Sequence, residues 1–228
     1  SQRNTMKYTN DIKLQNALKE AVKQFKNYQK NLENKSLMII YRNRETNDMD
    51  YIIVQFAGSN YYHLTGLAYK DDANDSKNGR FGSRFYKDLL DQKLSINDLK
   101  IKDNNTALKI KALPLITTCY RYTNMIGDFN HSGIQLNLDK VMGNISTYLG
   151  LKKISGKIYA PASCLYGDVR KAAKSIHQII AIFIKNTADT SSFSDIKYVA
   201  KGHNLNNMNF NSEIKDLISL EKYSSPSK

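Results

Sequence analysis

His63 is the residue whose type and setting most favour chemistry. It is one of four histidines in 228 residues and stands in the segment 58–67, GSNYYHLTGL. An imidazole titrates close to neutral pH, so it can accept or donate a proton during a reaction. The segment follows a β-rich run, and strict alternation along a third strand would place Tyr61, His63 and Thr65 on one face. The sequence therefore predicts a polar working face, with a histidine hydrogen-bonded at a strand end as the alternative.

The net charge favours a polyanionic partner. Lys and Arg number 34 against 21 Asp and Glu, which gives a net charge of +13. Between residues 101 and 185 the excess is sharper, with 12 basic and four acidic residues. Such an excess most often serves contact with nucleic acid, although a lysine-rich composition by itself also raises solubility. No apolar run is long enough to span a bilayer and no secretory leader is recognised, so we expect a cytoplasmic protein without a membrane partner.

The motifs of metal- and cofactor-dependent enzymes are missing from the sequence. There is no glycine-rich phosphate loop, HExxH, GxSxG or paired CxxC, and Cys119 and Cys164 fit neither a disulfide framework nor a metal site. The acidic residues are scattered, so we expect no metal and no cofactor. RNA can still be cut without a metal when a base activates the 2′-hydroxyl, cations stabilise the phosphorane and an acid protonates the leaving oxygen.

The first element that must position these residues is an amphipathic helix. Apolar residues recur every three or four positions from Leu14 to Leu32, which predicts a helix over 11–32 with a narrow apolar seam. The seam has two uses, packing on the rest of the chain or docking on a partner. Since it covers barely three heptads, packing within the chain is favoured.

The remaining elements are strands in antiparallel pairs mixed with short helices. The β-rich runs 36–42 and 50–56 predict one hairpin, and 177–185 and 196–203 predict another. This order is typical of an α+β fold and not of alternating βαβ units. We expect three segments, which are an N-terminal helical arm at 1–35, a central domain at 36–203 and a C-terminal tail at 204–228.

Several sequence strings, taken in order, resemble one nuclease family. Between residues 36 and 203 they run YYHLTGL, MIGDFN, SGIQLNLDKVMGN, YAPASCLYGDVRK, IIAIFIK and IKYVAKG. The set resembles a phage- and mobile-element-associated family of the barnase–EndoU–colicin–RelE-like (BECR) nuclease superfamily, found mostly in Firmicutes. The resemblance implies a curved antiparallel sheet with flanking helices that carries a metal-independent ribonuclease-type site.

The resemblance also marks candidate residues for the active face. They are His63 and Thr65 in HLTG, Lys140 in LDKVMGN, Ser163 in APAS, Arg170 in GDVRK and Lys201 in AKG. Superfamily members such as EndoU use two histidines, and none of His131, His177 and His203 is assigned as the second. Tyr198 or a lysine would then have to serve. Candidate nucleic-acid contacts are Lys109, Lys111, Arg121, Lys171, Lys185 and Tyr198.

Together these features predict a metal-independent endoribonuclease, toxin- or effector-like, encoded by a phage or another mobile element. Its expected partners are RNA and an immunity or host protein. Two alternatives stay open. One is a non-catalytic nucleic-acid-binding or regulatory protein, whose binding weakens with salt while RNA stays intact. The other is a module that intercepts a host factor through the seam of the N-terminal helix.

Overall fold

The structure, a computed structural model, describes residues 2–72, 80–133 and 136–226. Its helices are α1 (Gln2–Asn31), α2 (Tyr61–Thr65), α3 (Arg80–Leu90), α4 (Thr106–Ile116), α5 (Val169–Ala172) and α6 (Ser212–Leu217). Its strands are β1 (Lys35–Arg42), β2 (Met49–Phe56), β3 (Leu67–Tyr69), β4 (Leu99–Ile101), β5 (Met125–Asp128), β6 (Lys140–Gly143), β7 (Thr147–Ser155), β8 (Ile158–Tyr166), β9 (His177–Asn186) and β10 (Asp195–Val199).

Seven strands close into a barrel. The order is β1-β2-β8-β7-β6-β5-β9, and β9 pairs back onto β1, while β10 flanks β9 and β3 pairs with β4 apart from the barrel. The barrel neighbours are antiparallel except β2 and β8, which join in parallel where Ile53 lies beside Ile158. The predicted α+β class is confirmed, and the predicted sheet curvature goes as far as full closure.

The barrel interior can be recognised from its side chains. One buried cluster contains residues from all seven barrel strands together with α1, α2, α3 and α4. Two other clusters draw on only part of the wall, one on β1, β2 and β9 and the other on β6, β7 and β8. The first cluster is therefore the interior, and the helices fill it from one end.

Helix α1 packs its apolar seam into that interior cluster. Ala21, Phe25, Tyr28 and Leu32 are buried there at the predicted spacing. The Tyr28 hydroxyl donates to the carbonyl oxygen of Ala57 at 2.6 Å, which ties the helix to the chain beyond β2. Packing within the chain is thus confirmed, and the seam is not available as a docking surface for a host factor.

The C-terminal residues cover part of the outer wall. Phe193, Leu205, Phe210 and Ile214 bury themselves against outward side chains of β1 and β9 such as Met38. Residues assigned to the N-terminal arm and to the tail therefore both contribute to the buried core. The boundaries at 35 and 203 remain predictions.

The prediction of a strand over 61–65 is wrong. A short 3-10 helix at Gly58–Asn60 leads into α2, and the Asn60 side chain accepts a hydrogen bond from the Ala57 amide at 2.8 Å. Gly66 ends α2 with a φ of 70°, a left-handed conformation that glycine adopts without strain. Because residues two apart on a helix do not share a face, His63 and Thr65 do not form the predicted common face.

Candidate active site

His63 lies on α2 beside two lysines. The buried side-chain nitrogen of Lys109 donates to the backbone oxygen of His63 at 3.3 Å, and Lys102 also lies close enough to repel a charged ring. Burial first, then Lys102 and Lys109, lower the pKa of the imidazole to about 4. His63 is therefore neutral at physiological pH. A catalytic acid or base works best with a pKa near the operating pH, so this environment does not favour the proton-transfer role predicted for it.

The hydroxyl of Thr65 is used within its own turn. It is fully buried, donates to the Tyr62 carbonyl at 2.8 Å and accepts from the Leu67 amide at 3.2 Å. Both bonds stabilise the end of α2 and the turn into β3. Because the hydroxyl already donates its proton to Tyr62, it has no proton to donate to a phosphate oxygen.

Ser163 points to the outer side of the barrel wall. It pairs with Gly150, whose outer face is covered by Leu138, whereas the next residue, Cys164, belongs to the interior cluster. The Cys164 thiol donates to the Leu64 carbonyl at 3.2 Å, and burial raises its pKa to about 12. Ser163 Oγ is buried, with no hydrogen-bond partner among the described residues. The barrel wall thus separates Ser163 from the interior.

Arg170, Lys171 and Lys201 lie on the surface, on parts of the chain other than α2. The Arg170 guanidinium pairs with Asp168, the residue that caps the short helix α5, at 2.7 Å. That hydrogen bond lowers the pKa of the Asp168 carboxyl. Lys201 is exposed in the turn that follows β10. The predicted catalytic set is therefore distributed over several places and does not form one site.

The predicted nucleic-acid contacts lie on several elements of the fold, and Lys185 lines one cavity together with Tyr120. Lys111 lies 4.1 Å from the ring centroid of Tyr166, Arg121 lies 6.0 Å from that of Tyr120, and Lys185 lies 4.4 Å from that of Phe193. Tyr198 is half-buried against the interior cluster, and burial raises the pKa of its hydroxyl. Roles in nucleic-acid binding stay predictions for these residues.

A different group of polar residues forms at the end of the barrel that the helices leave free. On each of five strands an inward-facing apolar residue is followed, two positions closer to this free end of the barrel, by a polar one. These steps are Ile39 to Tyr41, Ile52 to Asp50, Ile126 to Asp128, Met142 to Lys140 and Ile179 to His177. With Lys157 and Tyr159 of the β7–β8 side they make a ring of seven residues, which we call the barrel mouth.

One half of the barrel mouth is a lysine–aspartate pair. Asp128 and Lys140 are direct cross-strand partners on β5 and β6, and Lys140 Nζ lies 2.8 Å from Asp128 Oδ1. The Asp128 side chain is 57% exposed and that of Lys140 is 20% exposed, so solvent reaches the pair. Lys140 Nζ also lies 6.0 Å from the ring centroid of Tyr159.

The other half is built around Asp50. Its carboxylate accepts hydrogen bonds from Lys157 Nζ and, at 3.3 Å, from the hydroxyl of Tyr41. Burial alone would raise the pKa of Asp50, but the bonds from Lys157 and the Tyr51 amide outweigh burial and lower it. Burial and the neighbouring Asp50 raise the pKa of Tyr41, so its hydroxyl stays protonated and acts as a donor.

His177 connects the two halves and is held in one orientation. Its ring stacks on Tyr41 with centroids 5.5 Å apart and an interplanar angle of 26°. The backbone amide of Arg44, in the β1–β2 turn, donates to His177 Nδ1 at 3.0 Å. A neutral ring whose Nδ1 accepts carries its proton on Nε2. Within the described residues Nε2 has no hydrogen-bond partner, so the N–H is free to donate to a ligand.

The sequence pointed to only one of these seven residues, Lys140. The others could have been found from the inward-facing residues, which occupy every second position of a strand and change from apolar to polar near the strand end. This pattern can be used only when it is known which strand ends lie together at one end of the closed barrel. Among the residues that the structure describes, no group of three or more His, Cys, Asp or Glu is placed to hold a metal ion.

The comparison with known families decides the identity of the fold. Residues 21–219 match the family described as phage-Barnase-EndoU-ColicinE5/D-RelE like nuclease4. The chain belongs to this family. The predicted resemblance is confirmed, and the family match extends beyond the predicted 36–203 to include residues 21–31 of α1 and all of α6. As the description is that of a nuclease, the substrate of the family is nucleic acid.

No curated protein and no solved structure gives a significant match to the chain. Among the described residues, no helix combines the length and the apolar character needed to cross a membrane.

Proposed function

We propose that this nuclease-family chain is an endoribonuclease that cuts RNA without a metal ion, with the barrel mouth as its active site. The observation that carries the proposal is the pair of Asp128 and Lys140, joined at 2.8 Å at the solvent-reached end of the barrel. A carboxylate and an ammonium in direct contact can take up one proton and release another. Cleavage through the 2′-hydroxyl requires those two transfers.

In the proposed reaction Asp128 accepts the proton of the 2′-hydroxyl, whose oxygen attacks the adjacent phosphorus. The bond from phosphorus to the 5′-oxygen breaks, and Lys140 gives that oxygen a proton. The products are a 2′,3′-cyclic phosphate and a 5′-hydroxyl. Protonated Asp128 and neutral Lys140 then remain in contact, so one proton transfer between them restores both groups.

The charge that develops on the phosphorane needs fixed donors. Lys157 supplies a cation, and the His177 Nε2–H supplies a neutral donor whose direction is set by the Arg44 amide. Asp50 and Tyr41 touch no substrate in this scheme. They hold Lys157 and His177 in place through the hydrogen bonds and the ring stacking at the mouth.

The test is cleavage of end-labelled RNA in EDTA by the wild type and by Lys140→Gln. We expect the substitution to lower the rate about 10²–10⁴-fold, the typical value of one general acid or base. The matched control is Lys152→Gln, a lysine of the neighbouring strand β7 that directly follows the inward-facing Leu151 and therefore points to the outer side of the wall. RNA with a single 2′-deoxy nucleotide at the cut position should resist cleavage there.

Three results would overturn the proposal. They are a strict requirement for Mg²⁺, equal cleavage of single-stranded DNA, or full activity in Lys140→Gln while Lys152→Gln behaves as the wild type. Far-ultraviolet circular dichroism of both variants separates loss of chemistry from loss of fold.

A second function, nucleic-acid binding without cleavage, is favoured by one observation. Lys140 and Lys157 each contact an aspartate, so these two pairs carry no net charge, while the chain as a whole carries +13. Under that function the same assay would show RNA bound but intact, with an affinity that falls steeply with salt. The predicted toxin-like role and its protein partner are a further proposal, which growth arrest on expression, relieved by Lys140→Gln, would support.

A further inference from the structure

A lysine-rich cavity lies at the other end of the barrel from the mouth. A cavity of about 400 Å³ is bounded by the end of α1, the start of β1, the end of β9 and β10. Five lysines line it, and we call it the lysine pocket: Lys30, Lys35, Lys185, Lys197 and Lys222. Two of the lining residues are acidic, Asp189 and Asp195, so the lining keeps a net positive charge.

The pairing inside the lysine pocket leaves its charge largely available. Lys197 faces Asp195 at 3.5 Å with both side chains exposed, and such a pair contributes little energy in water. Lys35 donates to the neutral amide of Asn186 at 2.9 Å, and Lys185 donates to the backbone oxygen of Ser191 at 2.7 Å. These bonds fix two of the cations without neutralising them.

The remaining lining groups fit the oxygens of a phosphate. The hydroxyls of Ser192 and Ser194 and the amide of Asn31 stand among the lysines. Phosphate groups of nucleic acids are bound mostly by Lys and Arg together with such neutral donors. Tyr120 also lines the cavity, with its ring centroid 5.8 Å from Lys197 Nζ.

The spacing between the lysine pocket and the barrel mouth follows from β1. Lys35 begins this strand and Tyr41 lies six residues further on, a distance of about 20 Å at the usual rise of a strand. A single phosphate cannot reach both places. A polynucleotide can.

We propose that the lysine pocket binds backbone phosphates of an RNA strand, away from the phosphate that reacts at the barrel mouth. The inference rests on the proposed function for the identity of the polymer, but its binding site is separate. The pocket thus contributes affinity to long substrates and takes no part in bond cleavage.

The binding experiment uses the full chain and fluorescent 2′-O-methyl RNA of 30 nucleotides, which cannot undergo attack by its 2′-oxygen. The test variant is Lys30→Gln/Lys197→Gln/Lys222→Gln, and the matched control is Lys19→Gln/Lys87→Gln/Lys93→Gln, three exposed lysines elsewhere. We expect the test variant to bind at least about tenfold more weakly at low salt. Its plot of log affinity against log salt should be flatter by about 0.7 for each phosphate that the variant no longer neutralises. Equal affinities and slopes in the two triple variants would overturn the inference.

Cleavage separates this inference from the proposed function. On long RNA the test variant should show a raised KM with kcat within twofold of the wild type, and on a dinucleotide it should match the wild type. A loss of activity on the dinucleotide would mean that the lysines act on the reaction or on the fold, which contradicts the inference. If the wild type cleaves nothing, the proposed function fails while the binding experiment still decides the pocket. If the triple substitution weakened binding to a polyanionic protein surface as much as binding to RNA, the assignment of the lysine pocket to RNA would be wrong.

Discussion

The surroundings of His63 and those of His177 contain similar residues, each with a histidine, two lysines and a tyrosine nearby, but the two regions differ in what they can do. At His63 the ring and Lys109 are packed into the helical end of the barrel, and the nearest acceptor of Lys109 is a backbone oxygen. At the barrel mouth, to which His177 belongs, the lysines meet carboxylates at the solvent-reached end. Access to solvent and the presence of proton acceptors therefore distinguish the two places, and residue type alone does not.

The lysines of the two regions show the same contrast. Burial lowers the pKa of Lys109, which favours its neutral form and suits a structural hydrogen bond. Lys140 instead contacts the Asp128 carboxylate at 2.8 Å and is partly exposed to solvent. A partly exposed lysine beside a carboxylate can exchange a proton with a substrate, whereas a buried lysine that serves a backbone carbonyl is committed to the fold.

The largest expected difference between the two regions is in activity. His177→Ala removes a donor aimed at the reacting phosphate and should lower kcat about 10²–10³-fold, as loss of one preorganised donor typically does. His63→Gln should leave kcat within twofold of the wild type. Initial rates on the same labelled RNA check both. The opposite ranking would restore His63 as the catalytic histidine and break the comparison.

The next difference is in the pH dependence of stability. The pKa of His63 is 6.5 in an unstructured chain and about 4 in the fold, so the unfolded chain binds the extra proton between these values. The neutral ring contributes fully to the free energy of unfolding above pH 6.5, and this contribution is lost as the pH falls to about 4. It amounts to at most about 3 kcal/mol in the free energy of unfolding.

Urea unfolding at pH 7.5 and pH 4.5 measures this effect. The wild type should lose more stability than His63→Gln between the two pH values, and His131→Gln, a substitution at an exposed histidine, should follow the wild type. If all three proteins lose the same amount, the ring of His63 is not held neutral by its surroundings.

The smallest expected effect concerns Tyr41. Tyr41→Phe removes its hydrogen bond to Asp50 but keeps the ring that stacks on His177. We expect a loss of about 1 kcal/mol in the free energy of unfolding, as for a typical hydrogen bond, and a reduction of kcat smaller than that of His177→Ala. Tyr122→Phe, at a ring that is 53% exposed, is the control. A reduction equal to that of His177→Ala would place the hydroxyl itself in the reaction.

Much of the fold could be predicted from the sequence because its signals are local. The apolar seam of α1 and the hairpin of β1 with β2 both follow from side-chain periodicity. The helix α2 could not be predicted in this way, because YYHLT has a strand-like composition and its helical form depends on Asn60, Gly66 and burial of both tyrosines.

The barrel closure and the site share one difficulty. Closure requires β1 to pair with β9, far along the chain, and β2 to meet β8 in parallel over a short stretch. Asp50, Asp128 and His177 become neighbours only through that closure. Lys140 is identified through the family resemblance, whereas no local pattern distinguishes the other members of the barrel mouth from ordinary strand ends.

The central claim is that Asp128 and Lys140 act as one unit, and a double-mutant cycle on RNA cleavage tests it most directly. Rates in EDTA are measured for the wild type, Asp128→Asn, Lys140→Gln and the double variant. If the pair shares the two proton transfers, each single variant loses about 10²–10⁴-fold and the double variant loses little more than either. Losses that multiply, or an Asp128→Asn variant with full activity, would contradict the claim.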